Sequence, residues 1–150
     1  MTSSIQPQLA ACLTNVLRIA TALVPQSNWY TLHVEGYIVG SLTEVKTWYT
    51  LPGAEARFEY DTFDLDYINE DSKNNKIGNF VEQIRELTYD PTRGAWYTVV
   101  IDFYQNGPQP SIRYNYYDQP DFSRAVPLTF YKKDLKVYPR PANLMPDWLQ

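Results

Sequence analysis

"AWYTVVIDFYQNGPQPSIRYNYYDQPDF", residues 95–122, decides how the second half of this chain folds. Two runs rich in β-branched and aromatic residues, Ala95 to Tyr104 and Ser111 to Tyr117, flank Gln105-Asn106-Gly107-Pro108-Gln109. The Asn-Gly pair favours a hairpin turn, so the stretch predicts an antiparallel hairpin. Successive strand side chains point to opposite faces. Tyr97, Val99, Ile101 and Phe103 therefore share one face, and Ile112, Tyr114 and Tyr116 share one face of the second strand, which sends Arg113, Asn115 and Tyr117 the other way.

Upstream, Ile77, Phe80, Val81, Ile84 and Leu87 recur at three- and four-residue steps and predict a helix over Asp71 to Thr88, with Ser72 as cap. Before it, Trp29 to Val39, Leu42 to Leu51 and Ala56 to Phe63 read as strands, punctuated by Gly40-Ser41 and Pro52-Gly53, with Leu32, Val34 and Ile38 on one face of the first. Ser4 to Val24 carries Leu9, Cys12, Leu13, Val16, Leu17, Ala20, Leu23 and Val24 on one helical face, with Pro7 in its first turn and Pro25 as its stop. Downstream, Pro127 opens a third helix whose stripe is Leu128, Tyr131, Leu135 and Tyr138, ended by Pro139 and Pro141. The order α-β-β-β-α-β-β-α, with adjacent hairpins, predicts an α+β fold: one domain with an antiparallel sheet of about five strands and helices packed on one face.

At 150 residues and 44% hydrophobic content, the chain suffices for one substantial core and shows no composition break marking a second domain. A net charge of -4 argues against direct nucleic-acid binding, which is driven by Lys and Arg displacing phosphate counterions. No apolar run approaches the roughly 20 residues of a membrane span. Leu9-Ala10-Ala11-Cys12 has the look of a lipoprotein processing site, but neither a basic nor an apolar segment precedes it, so no export is expected. A lone cysteine, Cys12, forms no internal disulfide and reads as a small buried hydrophobe, which fits a cytoplasmic location.

The chemical inventory is thin. Nucleophilic catalysis needs an activated nucleophile beside a base, and the only histidine, His33, alternates with Leu32 and Val34, which assigns it to the wetter sheet face as a strand-surface residue. One His and one Cys cannot supply a structural zinc site, and no phosphate-binding or dinucleotide fingerprint occurs, so no metal or cofactor is expected. Carboxylates are plentiful: Glu59, Asp61, Asp64, Asp66, Glu70 and Asp71 crowd one stretch. Asp66 stands where a calcium loop starting at Asp61 requires glycine. That stretch reads first as a solvated acidic edge and second as a patch for a basic protein partner. With 13 Tyr and 4 Trp, the chain has more rings than the predicted inward strand positions use, and Trp29, Trp48, Tyr117 and Trp148 fall outside the stripes. Amphipathic rings of this kind favour interfaces.

Trp96, the turn at Asn106-Gly107, the run Tyr114-Asn115-Tyr116-Tyr117-Asp118 and the pair Asp121-Phe122, together with the tail "FYKKDLKVYPRPANLMPDWL", resemble the C-terminal part of the YezG-like bacterial immunity proteins, the antitoxins of polymorphic toxin systems. The resemblance spans Trp96 to Leu149 and departs at Asn115, where the family often has an acid. It implies a cytoplasmic protein, not an enzyme, that neutralises a cognate toxin, a nuclease or an NAD-consuming enzyme, by occluding its active site. Expected toxin-binding residues are Tyr117, Asp118 and Asp121, then Asp61, Asp64, Asp66 and Trp48. The alternatives are a small carboxylate-dependent hydrolase and an interaction module with no toxin.

Overall fold

The computed structural model describes residues 6–62 and 76–150. Its elements are α1 (Gln6–Leu23), β1 (Thr31–Val39), β2 (Leu42–Thr50), β3 (Arg57–Tyr60), α2 (Ile77–Thr88), β4 (Thr98–Tyr104), β5 (Ser111–Asn115) and α3 (Leu128–Val137), followed by two short 3-10 turns. The predicted order holds. All five strands join one antiparallel sheet in the order β3-β2-β1-β4-β5. The second helix begins at Ile77, not Asp71, with Lys76 in the cap position and no side-chain cap, so Ser72 does not cap it; Ser72, and Ser4 at the first helix, lie outside the described residues.

Alternation supplies the core. Leu32, Val34 and Ile38 of β1 and Val99, Ile101 and Phe103 of β4 bury against Val16, Ile19 and Ala20 of α1 and Phe80, Val81 and Ile84 of α2. Burying each of these larger aliphatic or aromatic side chains contributes roughly 1.5–3 kcal/mol. Gly36 interrupts the β1 stripe because α2 crosses there: a Cβ at this position would lie 2.9 Å from Val81 Cγ2. Only a residue without a side chain lets the helix approach so closely. Cys12 is buried in the same cluster, and Trp29, which the stripes left unplaced, is buried there too.

A second cluster forms at the end of the sheet, where Val39, Tyr97 and Tyr131 bury together with Phe122, Phe130 and Trp148 against them. Tyr97 does not share the face of Val99, Ile101 and Phe103 as strict alternation predicts. Thr98 pairs with Asn115, yet Tyr97 also donates its N–H to the Asn115 carbonyl at 2.9 Å. Two residues against one is bulge geometry, which breaks the period and turns Tyr97 toward α3.

The α3 stripe differs as well. Tyr131 and Asp134 are buried, whereas Leu128 is 46% exposed. Asp134 faces inward because Arg85 of α2 meets it with two hydrogen bonds, at 2.5 and 2.8 Å, and Gly40 N–H adds a third at 2.9 Å. Pro127 caps α3 instead of opening it. No helix among the described residues is long and apolar enough to cross a membrane.

Candidate functional site

The sheet face opposite α1 and α2 carries the alternate residues: His33, Glu35 and Tyr37 of β1, Lys46 and Trp48 of β2, Arg57 and Glu59 of β3, Asp102 of β4 and Arg113 of β5. Phe122 covers its lower end, packing against the Tyr37 ring at 5.9 Å between centroids. Farther up, His33, Glu35 and Asp102 keep side-chain exposures of 18%, 21% and 19%, a polar cluster within reach of solvent.

His33 lies at the centre of that cluster. Its Nδ1 is 2.6 Å from Asp102 Oδ1 and its Nε2 is 2.7 Å from Glu35 Oε2. Tyr37 donates its hydroxyl to the other Glu35 oxygen at 2.6 Å, and Arg113 reaches Asp102 Oδ2 at 3.4 Å. Trp48 sets its ring edge-on to His33, with centroids 5.3 Å apart, and the Arg57 guanidinium covers Trp48 at 4.3 Å. Five strands thus contribute to one connected set of charges and rings.

The network shifts its members' titration. Burial raises the Glu35 carboxyl, but the hydrogen bonds from Tyr37 and His33 outweigh it and leave the group below its usual value. Burial first, and then the bond to Glu35, hold the Tyr37 hydroxyl protonated far into the alkaline range. Glu35 is therefore an ionised acceptor and Tyr37 a fixed donor, an arrangement suited to holding charge in place.

The expected toxin-binding residues divide. Trp48 belongs to this face, and Asp121 comes to its lower end, where Lys46 Nζ lies 3.7 Å from Asp121 Oδ2 and donates to the Asp121 carbonyl at 3.1 Å. Asp118 sits in a turn: Asn115 Nδ2 donates to Asp118 Oδ2 at 2.8 Å, and Asn115 Oδ1 accepts the Asp118 N–H at 2.9 Å. Tyr117 is 45% exposed, while its carbonyl accepts the Trp148 indole N–H at 2.6 Å. Asp61 follows β3 and lines a groove of about 880 Å³ between β2 and the segment from Phe122 to Phe130, with Glu44, Lys46 and Glu59. Asp64 and Asp66 lie outside the described residues.

Several residues that carry the family resemblance are packing residues. Trp96 is buried, stacked on Tyr114 at 5.5 Å, and donates to Thr88 Oγ1 at 2.8 Å. Arg140 is buried and ties the tail to the sheet through the carbonyls of Tyr116 and Ala95, both at 2.8 Å. Trp148 packs on Tyr97 and Tyr131.

Sequence reasoning placed His33 on the correct face but missed its partners. Glu35 was within reach, because two residues on one strand share a face. Asp102, by contrast, enters only through the β1–β4 pairing, which sets it directly opposite His33. No protein-family model and no curated protein matches this sequence.

Proposed function

We propose that this chain is an immunity protein that binds a cognate bacterial toxin and occludes its active site, protecting the cell that makes it, from the cytoplasm and without chemistry of its own. The observation that carries the reading is the sheet face left uncovered by α1 and α2, where Trp48, Arg57 and the His33 cluster present rings and charges together. Rings with polar neighbours that lose water together are what an interface needs at its centre. The tail resemblance supports the same reading, and a nuclease or an NAD-consuming enzyme is the proposed toxin class.

Asp121 and Trp48 are the proposed contact residues on this face, with Tyr117, Asp118 and Asp61 as further proposed contacts. Co-expression with the toxin encoded immediately upstream tests the proposal: rescue of growth and co-purification are expected, and undiminished killing sinks it. Within a complex, Trp48→Ala should weaken binding by about 2 kcal/mol or more if Trp48 is a central anchor. Affinity unchanged in Trp48→Ala, Asp118→Ala and Asp121→Ala together moves the interface elsewhere.

The hydrolase alternative draws on one observation, the two carboxylates that flank His33. Both have an oxygen engaged by the imidazole, so a reaction at this site would have to displace an existing hydrogen bond. Glu35→Gln and Asp102→Asn each abolish a hydrolytic activity that depends on the pair; retention of a detected activity in both variants rejects this alternative.

A further inference from the structure

We propose that the His33 cluster is a pH-sensitive element that sets the charge and the ring arrangement of the open sheet face. A neutral imidazole has one N–H and one lone pair, so it can donate to a single carboxylate. His33 faces two, Asp102 at 2.6 Å from Nδ1 and Glu35 at 2.7 Å from Nε2. Only the imidazolium satisfies both, each through a charge-assisted bond. Loss of its proton sets a lone pair against a carboxylate oxygen at hydrogen-bond distance, and one of the two groups must move.

Every strand packed around the ring contributes a charged or ring neighbour. On β1, Glu35 is held at its other oxygen by the Tyr37 hydroxyl. On β4 and β5, Asp102 has Arg113 at 3.4 Å from its second oxygen. On β2, Trp48 leans on the His33 ring, and on β3, Arg57 covers Trp48. Glu35 is held from behind by the Tyr37 hydroxyl and Asp102 has Arg113 beyond it, so a turn of the His33 ring relieves the conflict, and Trp48 follows because it packs against that ring. The face also becomes more negative by one charge. His33 is the only histidine in the chain. A response of the Trp48 ring that disappears in His33→Gln therefore has His33 as its source. The switch is a property of the chain itself; its effect on a docked toxin rests on the function proposed above.

The test follows the indole N–H of Trp48 in two-dimensional NMR spectra of the full chain over the whole pH range in which it stays folded, with the resonance assigned through Trp48→Phe. The expected result is a reversible single-site titration of Trp48, a stationary Trp96 indole whose N–H is held by Thr88, and two visible His33 ring N–H protons at the acid end. His33→Gln abolishes the titration. Asp102→Asn reduces its amplitude, because an amide can donate to the neutral ring and leaves it nothing to escape. A Trp48 resonance that does not titrate, or titrates equally in His33→Gln, overturns the proposal. Should His33→Gln fail to fold, unchanged amplitude in Asp102→Asn overturns it equally.

Discussion

The Arg85–Asp134 pair and the His33 cluster each set a basic side chain against carboxylates, and they differ in what surrounds them. Arg85 and Asp134 join α2 to α3 with side-chain exposures of 1% and 3%. The Arg85 Nε also donates to the Trp96 carbonyl at 2.8 Å, so both partners are held from several sides. His33, Glu35 and Asp102 make contacts of comparable length at roughly a fifth exposure, on a face that water reaches. Away from water, a charge is tolerable only while its partner stays, so the first pair fastens two helices. Near water the same chemistry can rearrange at modest cost, so the second cluster can respond to its environment.

The contrast is broken most forcefully at Arg85. Arg85→Met strands Asp134 in the interior and is expected to cost about 3–5 kcal/mol in urea unfolding; a loss below about 1 kcal/mol would place the pair with ordinary surface ion pairs. Adding Asp134→Leu should restore most of that loss, short of what the orphaned Gly40 N–H costs. On the open face, Asp102→Ala is expected to cost about 1 kcal/mol, since solvent can take over part of the role of the missing acceptor. A loss equal to that of Arg85→Met would erase the distinction between the two clusters.

Acid sharpens the comparison further. The Glu35 carboxyl is lower in the folded chain than in the unfolded one, despite burial, because Tyr37 and His33 donate to it. Its stabilisation is therefore present above the ordinary glutamate value of about 4.3 and is lost as pH falls through the folded value. Glu35→Gln should flatten the acid side of the stability–pH curve; an unaltered curve would mean that Glu35 does not couple to folding. The smallest effect is expected at Arg113, whose side chain is 68% exposed and 3.4 Å from Asp102. Arg113→Ala should change stability by less than about 0.5 kcal/mol, and a larger change in thermal melting would show the open cluster to be as interdependent as the buried pair.

Much of the architecture was legible in local patterns. The helical stripe from Leu9 to Val24, the Asn106-Gly107 turn and the alternation at Leu32, Val34 and Ile38 each report their element directly. Departures came where distant groups overrode the period. Tyr97 leaves its strand face at a bulge, Leu128 is exposed, and Asp134, a charged residue one turn from both Tyr131 and Tyr138, is buried against Arg85. The candidate site was less legible. Trp48 and Asp121 do come to the open face, but Asp118 is engaged in a turn with Asn115, and the acid run beyond Asp61 lies outside the described residues.

By itself, the sequence determined the element types, their order and which strand faces are apolar, because helical and strand periods are set within a few residues of chain. Only the tertiary structure decided that β1 lies beside β4. That pairing joins residues 69 positions apart, His33 and Asp102, and no local period encodes it. The placement buries the apolar faces of β1 and β4 together against α1 and α2, a packing that belongs to the assembled core. The polar cluster on the opposite face is a consequence of the same register.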